Sequence, residues 1–243
     1  MSELIADLRS DTVTRPCAAM KQAMVDAELG DDVLGDDPTV RQLEVTVAGM
    51  AGKEAALFLP SGTQSNLVAL MAHCERGDEY IVGQEAHTYK YEGGGAAVLG
   101  SIQPQPLDYE ADSTLDLDKV RAKIKADDDH FARTRLLCLE NTRSGDVLPL
   151  DYHPRVAAFA RETGLGLHLD GARQYNACVV QNVPVSDIAR HSDTVSLCIS
   201  KGLGAPAGSI LVGSSELLRE ARKWRKMLGG GMRQAGIIAA GCR

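Results

Sequence analysis

The chain has 243 residues, of which 44% are hydrophobic and 24% charged, with 24 glycines. This composition is typical of a globular protein with a sizeable core. Its formal net charge is -7 with the two signs interspersed, which argues against nucleic acid or an anionic membrane surface as a partner.

The first predicted elements alternate between strand and helix. The apolar run AALFLP (55–60) predicts a strand, and the apolar spacing of residues 61–76 predicts a helix after it. EYIVG (79–83) predicts a second strand. After a glycine-rich turn, AAVLGSI (96–102) predicts a third.

The later elements continue this alternation. Helices are predicted at 115–124 and 154–163, and strands at 134–140, 165–170 and 194–200. GSILVGS (208–214) follows the last of these strands too soon for a helical crossover, so it should pair antiparallel. Residues 214–227 then predict a helix with Ser214 or Ser215 as its N-cap.

The predicted strands are rich in Leu, Val, Ile and Cys with little polar alternation. Strands of this kind occur where helices cover both faces of a sheet. We therefore expect the α/β class, with a mainly parallel sheet covered by helices in one domain over residues 1–243.

The cysteines and the N-terminus indicate the compartment. Six cysteines form no C-x-x-C pair and no metal-finger spacing, and Cys138 and Cys198 lie in predicted strands, so we expect free core thiols and no metal site. The N-terminal MSELIADLRSD lacks the apolar stretch of a signal peptide. No segment reaches the about 18 continuous apolar residues of a membrane span. We expect a cytoplasmic protein that does not contact a membrane.

Two polar motifs mark the start of a helix and the end of a strand. Ser61-Gly62-Thr63 stands between the first strand and its helix, where its N–H groups either hold a phosphate or form an ordinary N-cap. HLDGAR (168–173) puts Asp170 at the carboxyl end of a strand, the edge where open α/β sheets bind ligands. A structural ion pair between Asp170 and Arg173 is the alternative.

Two further motifs also follow predicted strands. Ser200-Lys201 is surrounded by glycines and alanines, and its lysine is either a phosphate-binding charge or an amine that traps a carbonyl group. Glu85-Ala86-His87 offers an imidazole at the same sheet edge, unless His87 is merely structural.

Together the four motifs indicate pyridoxal 5'-phosphate, because parallel strands bring their carboxyl ends to one crevice. That cofactor requires an amine, a carboxylate for its ring nitrogen, a helix N-terminus for its phosphate and a flat side chain over its ring. Gly202-x-Gly204-x-x-Ala207 also fits a loose dinucleotide fingerprint. We reject that alternative because Pro206 and a strand follow, where the fingerprint needs a helix.

Long motifs across the chain resemble the low-specificity L-threonine aldolases, which are fold type I pyridoxal phosphate enzymes. The resemblance rests on DLRSDTVT (7–14), GDDVLGDDPTV (30–40), GKEAALFLPSGTQSN (52–66), HLDGAR (168–173), SKGLGAP (200–206) and GGGMRQ (229–234). It implies cleavage of L-threonine and L-allo-threonine to glycine and acetaldehyde.

The resemblance also implies residue roles. For the cofactor, Lys201 resembles the Schiff-base lysine, Asp170 the partner of the pyridinium nitrogen, and His87 the imidazole over the ring. The other implied contacts to the cofactor come from Gly62, Thr63, Arg173, Ser200 and Arg233. The substrate carboxylate would be held by Ser10 and Arg173, and the substrate hydroxyl would lie near His130. The base is left open between His87, His130 and a water molecule.

The chain departs from the family pattern at several positions. Leu34 replaces a usual tyrosine, Arg143-Ser144-Gly145-Asp146 replaces His-Asn and Gly-Lys, and Gln174 replaces an apolar residue. The resemblance implies a small C-terminal domain with a second carboxylate-binding arginine, which we expect to be absent from this chain. The family also implies a homo-oligomer, either a dimer or a tetramer.

Three functions remain open from the sequence. The first is the aldolase, and the second is a β-eliminating lyase or racemase, which needs the same lysine, aspartate and phosphate turn. The third is a shortened subunit that binds cofactor without turnover.

Overall fold

A computed structural model describes residues 6–242. The predictions of one domain over 1–243 and of no signal peptide therefore extend to residues 1–5 and Arg243, which lie outside the described residues. The centre of the fold is a sheet. Its strands are β1 (Ala55–Leu59), β2 (Glu79–Gly83), β3 (Gln103–Leu107), β4 (Thr134–Glu140), β5 (Gly166–Gly171), β6 (Thr194–Cys198) and β7 (Ser209–Gly213).

The strand order across the sheet is β1-β7-β6-β5-β4-β2-β3. Every neighbouring pair is parallel except the two that involve β7, which runs antiparallel to both β1 and β6. The predicted mainly parallel sheet with an antiparallel strand at 208–214 is thus confirmed. Because β4, β5 and β6 are adjacent and parallel, their carboxyl ends meet at one edge.

Helices lie between the strands. They are α1 (Ala18–Val25), α2 (Pro38–Ala51), α3 (Gly62–His73), α4 (His87–Lys90), α5 (Gly95–Val98), α6 (Leu117–Arg121), α7 (Tyr152–Thr163), α8 (Gln174–Gln181), α9 (Val185–Ala189), α10 (Ser215–Met227) and α11 (Gly236–Ala239), with 3-10 turns at Asp11–Val13 and Ala240–Cys242. Ser214 caps α10 as predicted, because its hydroxyl accepts a hydrogen bond from the Leu217 amide at 3.3 Å. No helix within residues 6–242 has the length and apolar character to cross a bilayer.

The prediction of a strand over 96–102 is wrong. Residues 95–98 form helix α5, and the strand β3 begins only at Gln103. Gly94 starts α5 with a φ of 71°, a left-handed conformation that glycine adopts easily. The strand itself reads QPQPL, and its two prolines fit its place at the edge of the sheet, where one side needs no partner. The apolar residues that predicted a strand therefore belong to the helix α5, and the prolines of β3 kept it from being predicted as a strand.

The core lies on both faces of the sheet, which explains the apolar strands. Leu57, Leu137 and Leu197 in three different strands are completely buried. Burial of such a side chain contributes about 1.5–3 kcal/mol. The covered faces leave only the strand ends free to carry polar groups, and the carboxyl edge is where the predicted site residues lie.

Candidate active site

A cavity of about 160 Å³ opens at the carboxyl ends of β5 and β6. Its walls include six of the residues predicted for the cofactor. These are Gly62, Thr63, His87, Asp170, Ser200 and Lys201. Four motifs that are far apart in sequence thus meet in one place, as the parallel topology requires.

Lys201 lies in the loop that joins β6 to β7. Its backbone carbonyl accepts hydrogen bonds from the Thr14 hydroxyl at 2.6 Å and from the Gly204 amide at 2.8 Å, which fix the loop. Within residues 6–242, its ammonium group forms no ion pair with a carboxylate closer than 4.0 Å. The lysine therefore presents an amine to the cavity that is not neutralised by direct contact.

The glycines after Lys201 have specific structural reasons. Gly204 has a φ of 81°, which side chains rarely adopt. Gly208 has a φ of 109°, and a Cβ there would lie 2.6 Å from the ring of Phe58. The loop therefore turns sharply against the core, which a larger residue at either position would prevent.

Asp170 is a buried carboxylate at the end of β5, with 2% of its surface exposed. Its Oδ1 accepts from the Ala172 amide at 3.0 Å, and its Oδ2 accepts from the Asn66 side chain at 2.8 Å. Burial raises the pKa of Asp170, and the nearby charges of His87 and Lys201 oppose that rise. Both direct donors are neutral, so a cationic partner in the cavity would stabilise the ionised carboxylate.

His87 begins α4 and contacts two carboxylates. Its backbone N–H donates to Glu140 at 3.0 Å, and its Nδ1 lies 2.8 Å from Oε1 of Glu92. The hydrogen bond to Glu92 raises the pKa of His87. Burial raises the pKa of Glu140 to about 7 and also raises that of Glu92.

The sequence did not reveal Glu92 or Asn66 as site residues. Glu92 lies in a turn, and Asn66 lies inside a helix although it ends the motif at 52–66, so neither directly follows a strand. The ligand atoms of His87, Glu92 and Asp170 lie within 4.8 Å of one another, an arrangement that could hold a metal ion. Hydrogen bonds through Asn66 and Glu92 already account for this closeness.

The N-terminus of α3 supplies the anion-binding part of the cavity. Ser61 is its N-cap, and its hydroxyl accepts from the Gln64 amide at 3.2 Å. The amides of Gly62 and Thr63 in the first turn have no acceptor within the helix. Together with the helix dipole, they favour a phosphate.

Arg173 lies directly before α8 and is held by the N-terminal segment. Its Nε and Nη2 donate to the two oxygens of Asp11 at 2.8 and 2.6 Å. Asp11 begins the 3-10 turn that Ser10 caps by accepting from the Thr12 amide. Ser10 and Arg173 are therefore joined through Asp11, although neither lines the cavity itself.

His130 and Arg233 do not reach the cavity within the described chain, contrary to the expectation. The His130 side chain is 85% exposed and contacts Asp128 at 2.6 Å. It precedes β4, so it lies toward the opposite edge of the sheet from Asp170. Arg233 is 63% exposed and donates to Asp31 at 2.9 Å.

The departures from the family pattern also lie outside this cavity. Gln174 is completely buried and accepts from the Asn141 side chain at 3.2 Å, which satisfies its polar group in the core. Arg143 lies 4.8 Å above the Tyr109 ring and donates to Asp146 at 3.2 Å, so this segment closes a turn. Leu34 is exposed.

Comparison with known proteins identifies the class of this fold and site. A family model described as "Beta-eliminating lyase" matches residues 7–243. The described fold resembles the solved structure of Leishmania major threonine aldolase with a TM-score of 0.82 and 22% identity, covering 96% of this chain and 69% of that one.

Two curated relatives give the closer relationship. The low specificity L-threonine aldolase of Escherichia coli K12 is 61% identical over 234 residues, which are 96% of this chain and 70% of that protein. A probable low-specificity L-threonine aldolase 2 of Arabidopsis thaliana is 49% identical, over 96% of this chain and 68% of that protein. The chain belongs to the beta-eliminating lyase family and, within it, to the low-specificity L-threonine aldolases. The resemblance inferred from the sequence motifs is confirmed.

Proposed function

We propose that the protein cleaves L-threonine and L-allo-threonine to glycine and acetaldehyde, with pyridoxal 5'-phosphate as its cofactor. One observation carries this proposal. A buried aspartate at the carboxyl end of β5 and a lysine amine shortly after the adjacent parallel strand β6 line the same cavity. The 61% identity to an L-threonine aldolase supports the choice of substrate.

The residues of the cavity fit this cofactor. Lys201 would hold its aldehyde. Among residues 6–242, Asp170 has no directly bonded cation, and a protonated ring nitrogen would supply one. Gly62 and Thr63 at the start of α3 would bind the phosphate. When bound, the cofactor supplies an electron sink for the bond that breaks at the substrate Cα.

Arg173 would bind and orient the substrate carboxylate. Asp11 occupies its Nε and one N–H of Nη2. The remaining N–H groups on Nη1 and Nη2 have no acceptor among residues 6–242 and could bind a second carboxylate. A planar pair of donors holds a carboxylate in one orientation, which determines the Cα bond presented for cleavage. Asp11 keeps the guanidinium in place.

We assign the base to His87 because His130 lies away from the cavity. Nε2 of His87 takes the proton of the substrate β-hydroxyl as the Cα–Cβ bond breaks and acetaldehyde leaves. The atoms balance when one proton is returned to Cα, which gives glycine. A base near neutral pKa suits this transfer.

The assay compares products. The protein, loaded with cofactor, is incubated with L-allo-threonine or L-threonine, and acetaldehyde, glycine, 2-oxobutanoate and ammonia are measured. Acetaldehyde and glycine in equal amounts are expected, and Lys201→Ala should form neither. The description of the family model keeps β-elimination as a second candidate, and 2-oxobutanoate with ammonia would favour it. Bound cofactor without any product would favour the inactive subunit.

Assembly and location complete the proposal. We infer a homo-oligomer because apolar side chains are exposed on α5 and just after α4, among them Val98, Leu99 and Tyr91. Light scattering should give a mass at least twice that of the chain, and a monomer would contradict this inference. The cysteines of the described chain are free, which fits a reducing cytoplasm.

A further inference from the structure

A row of hydrogen-bonded polar side chains runs through the buried core to the cavity. The row crosses from α3 to the start of β6, then to β5 and back to α3, before it reaches the cavity. In order, it consists of His73, Thr194, His168, Asn66, the pair Asp170 and Glu92, and His87. The bonds measure 2.8–3.2 Å.

The direction of each hydrogen bond follows from the two carboxylates. The amide nitrogen of Asn66 lies 2.8 Å from both Asp170 Oδ2 and Glu92 Oε1. An amide nitrogen has two hydrogens and only donates, so Asn66 donates both bonds. Its oxygen then faces Nε2 of His168 at 3.2 Å and must accept. His168 therefore carries a proton on Nε2.

The remaining bonds are then fixed as well. Complete burial lowers the pKa of His168 to about 3, so its imidazole is neutral near pH 7 and has only one N–H. Nδ1 must then accept from the Thr194 hydroxyl at 2.9 Å. The same hydroxyl oxygen accepts from Nε2 of His73 at 2.9 Å, and burial lowers the pKa of His73 to about 4. Every donor points toward the carboxylates.

At the cavity, Glu92 determines where His87 holds its proton. The same Oε1 atom that accepts from Asn66 lies 2.8 Å from Nδ1 of His87. A neutral His87 therefore keeps its proton on Nδ1. Its Nε2 has no hydrogen-bond partner among residues 6–242 and is free to take a proton from a substrate in the cavity that His87 lines.

We propose that Asn66 and His168 are positioning residues, which orient the buried carboxylates Asp170 and Glu92 and so keep the lone pair of His87 on Nε2. Asn66 lines the cavity and His168 lies behind it, and both act through the carboxylates. Their catalytic meaning rests on the proposed aldolase function, but the direction of the hydrogen bonds does not.

The first test measures the tautomers directly. In ¹⁵N-labelled protein without cofactor, at a pH where His87 is neutral, long-range ¹H–¹⁵N spectra distinguish the two ring nitrogens of each histidine. We expect the Nε2–H tautomer for His73 and His168 and the Nδ1–H tautomer for His87. An Nδ1–H tautomer of His168 or an Nε2–H tautomer of His87 would overturn the proposal.

The second test compares three variants. His168→Leu removes the donor to Asn66, His168→Gln keeps an N–H at a similar reach, and His153→Leu removes a buried imidazole on α7 that is outside the row. We expect His168→Leu to lower kcat about tenfold with little change in KM, because Arg173 is untouched. His168→Gln should recover to within about threefold of the natural protein, and His153→Leu should keep its kcat.

Two outcomes contradict the positioning role. Either His168→Leu and His153→Leu lose the same activity, or His168→Gln is as poor as His168→Leu. If the natural protein shows the expected tautomers but forms no acetaldehyde, only the proposed function fails. The two claims are therefore separated by the experiment.

Discussion

Arg173 provides the sharpest quantitative prediction of the substrate site. Its guanidinium already forms two short bonds to Asp11, of 2.8 and 2.6 Å, so its position is fixed before a substrate arrives. A substrate carboxylate would add two charge-assisted hydrogen bonds on Nη1 and Nη2, each worth about 1.5 kcal/mol. Arg173→Ala should therefore lower kcat/KM by about 3 kcal/mol, or about 100- to 200-fold.

The loss should appear mainly in KM, because the carboxylate is bound before and during the reaction. Arg173→Lys keeps the charge but not the planar pair of donors, and should lose about tenfold. The acetaldehyde released from L-allo-threonine is followed by enzymatic reduction of the acetaldehyde, and the rates at several substrate concentrations give kcat and KM. Arg190→Ala is the matched control, since this exposed arginine has only a long 3.7 Å contact with Asp187 and lies away from the cavity.

The amide of L-allo-threonine tests whether the carboxylate is the group recognised. This substrate lacks the negative charge, so Arg173→Ala should change its kcat/KM far less than that of the acid. An unchanged KM for the acid, or an equal loss for acid and amide, would refute the assignment of Arg173.

Two further predictions concern stability. Gly208→Ala should lower the free energy of unfolding by about 1–3 kcal/mol, because Gly208 has a φ of 109° and a Cβ there would lie 2.6 Å from the ring of Phe58. Gly202→Ala is the control, since a Cβ at Gly202 has room, and its free energy of unfolding should change by less than about 1 kcal/mol. Equal urea midpoints for the two variants would contradict this prediction. The free energy of unfolding should also fall as the pH drops from about 6.5 toward 4. In the folded protein, burial lowers the pKa of His73 to about 4 and that of His168 to about 3, so both imidazoles stay neutral in this range. In the unfolded chain the same histidines bind protons, which favours unfolding. The slope should be about 1.4 kcal/mol per pH unit smaller in His168→Leu, and identical slopes would argue against a neutral buried His168.

The positions of Lys201 and Asp170 could be predicted from the sequence because each stands at the carboxyl end of an apolar run that predicts a strand. A parallel sheet brings such strand ends together whatever the intervening loops do. Ser61 likewise had a local signal, since a hydroxyl residue before an apolar helix is a common N-cap. These parts of the site depend on local pattern and topology alone.

The partners of these residues could not be predicted. Asn66 bonds to Asp170 over a separation of 104 residues, and Asp11 bonds to Arg173 over 162. Such pairs depend on how helices pack on the sheet, which no local pattern encodes. His130 shows the converse, because the family resemblance implies a role for it near the substrate, yet it lies away from the cavity of its own chain.

The most direct test of the account is to locate the cofactor on the chain. The protein is loaded with pyridoxal 5'-phosphate, reduced with borohydride, digested and analysed by mass spectrometry. We predict one phosphopyridoxyl group on the peptide that contains Lys201, and none in the Lys201→Ala variant. A modification spread over surface lysines, or equal labelling of the variant, would contradict the claim that Lys201 and Asp170 form a cofactor site.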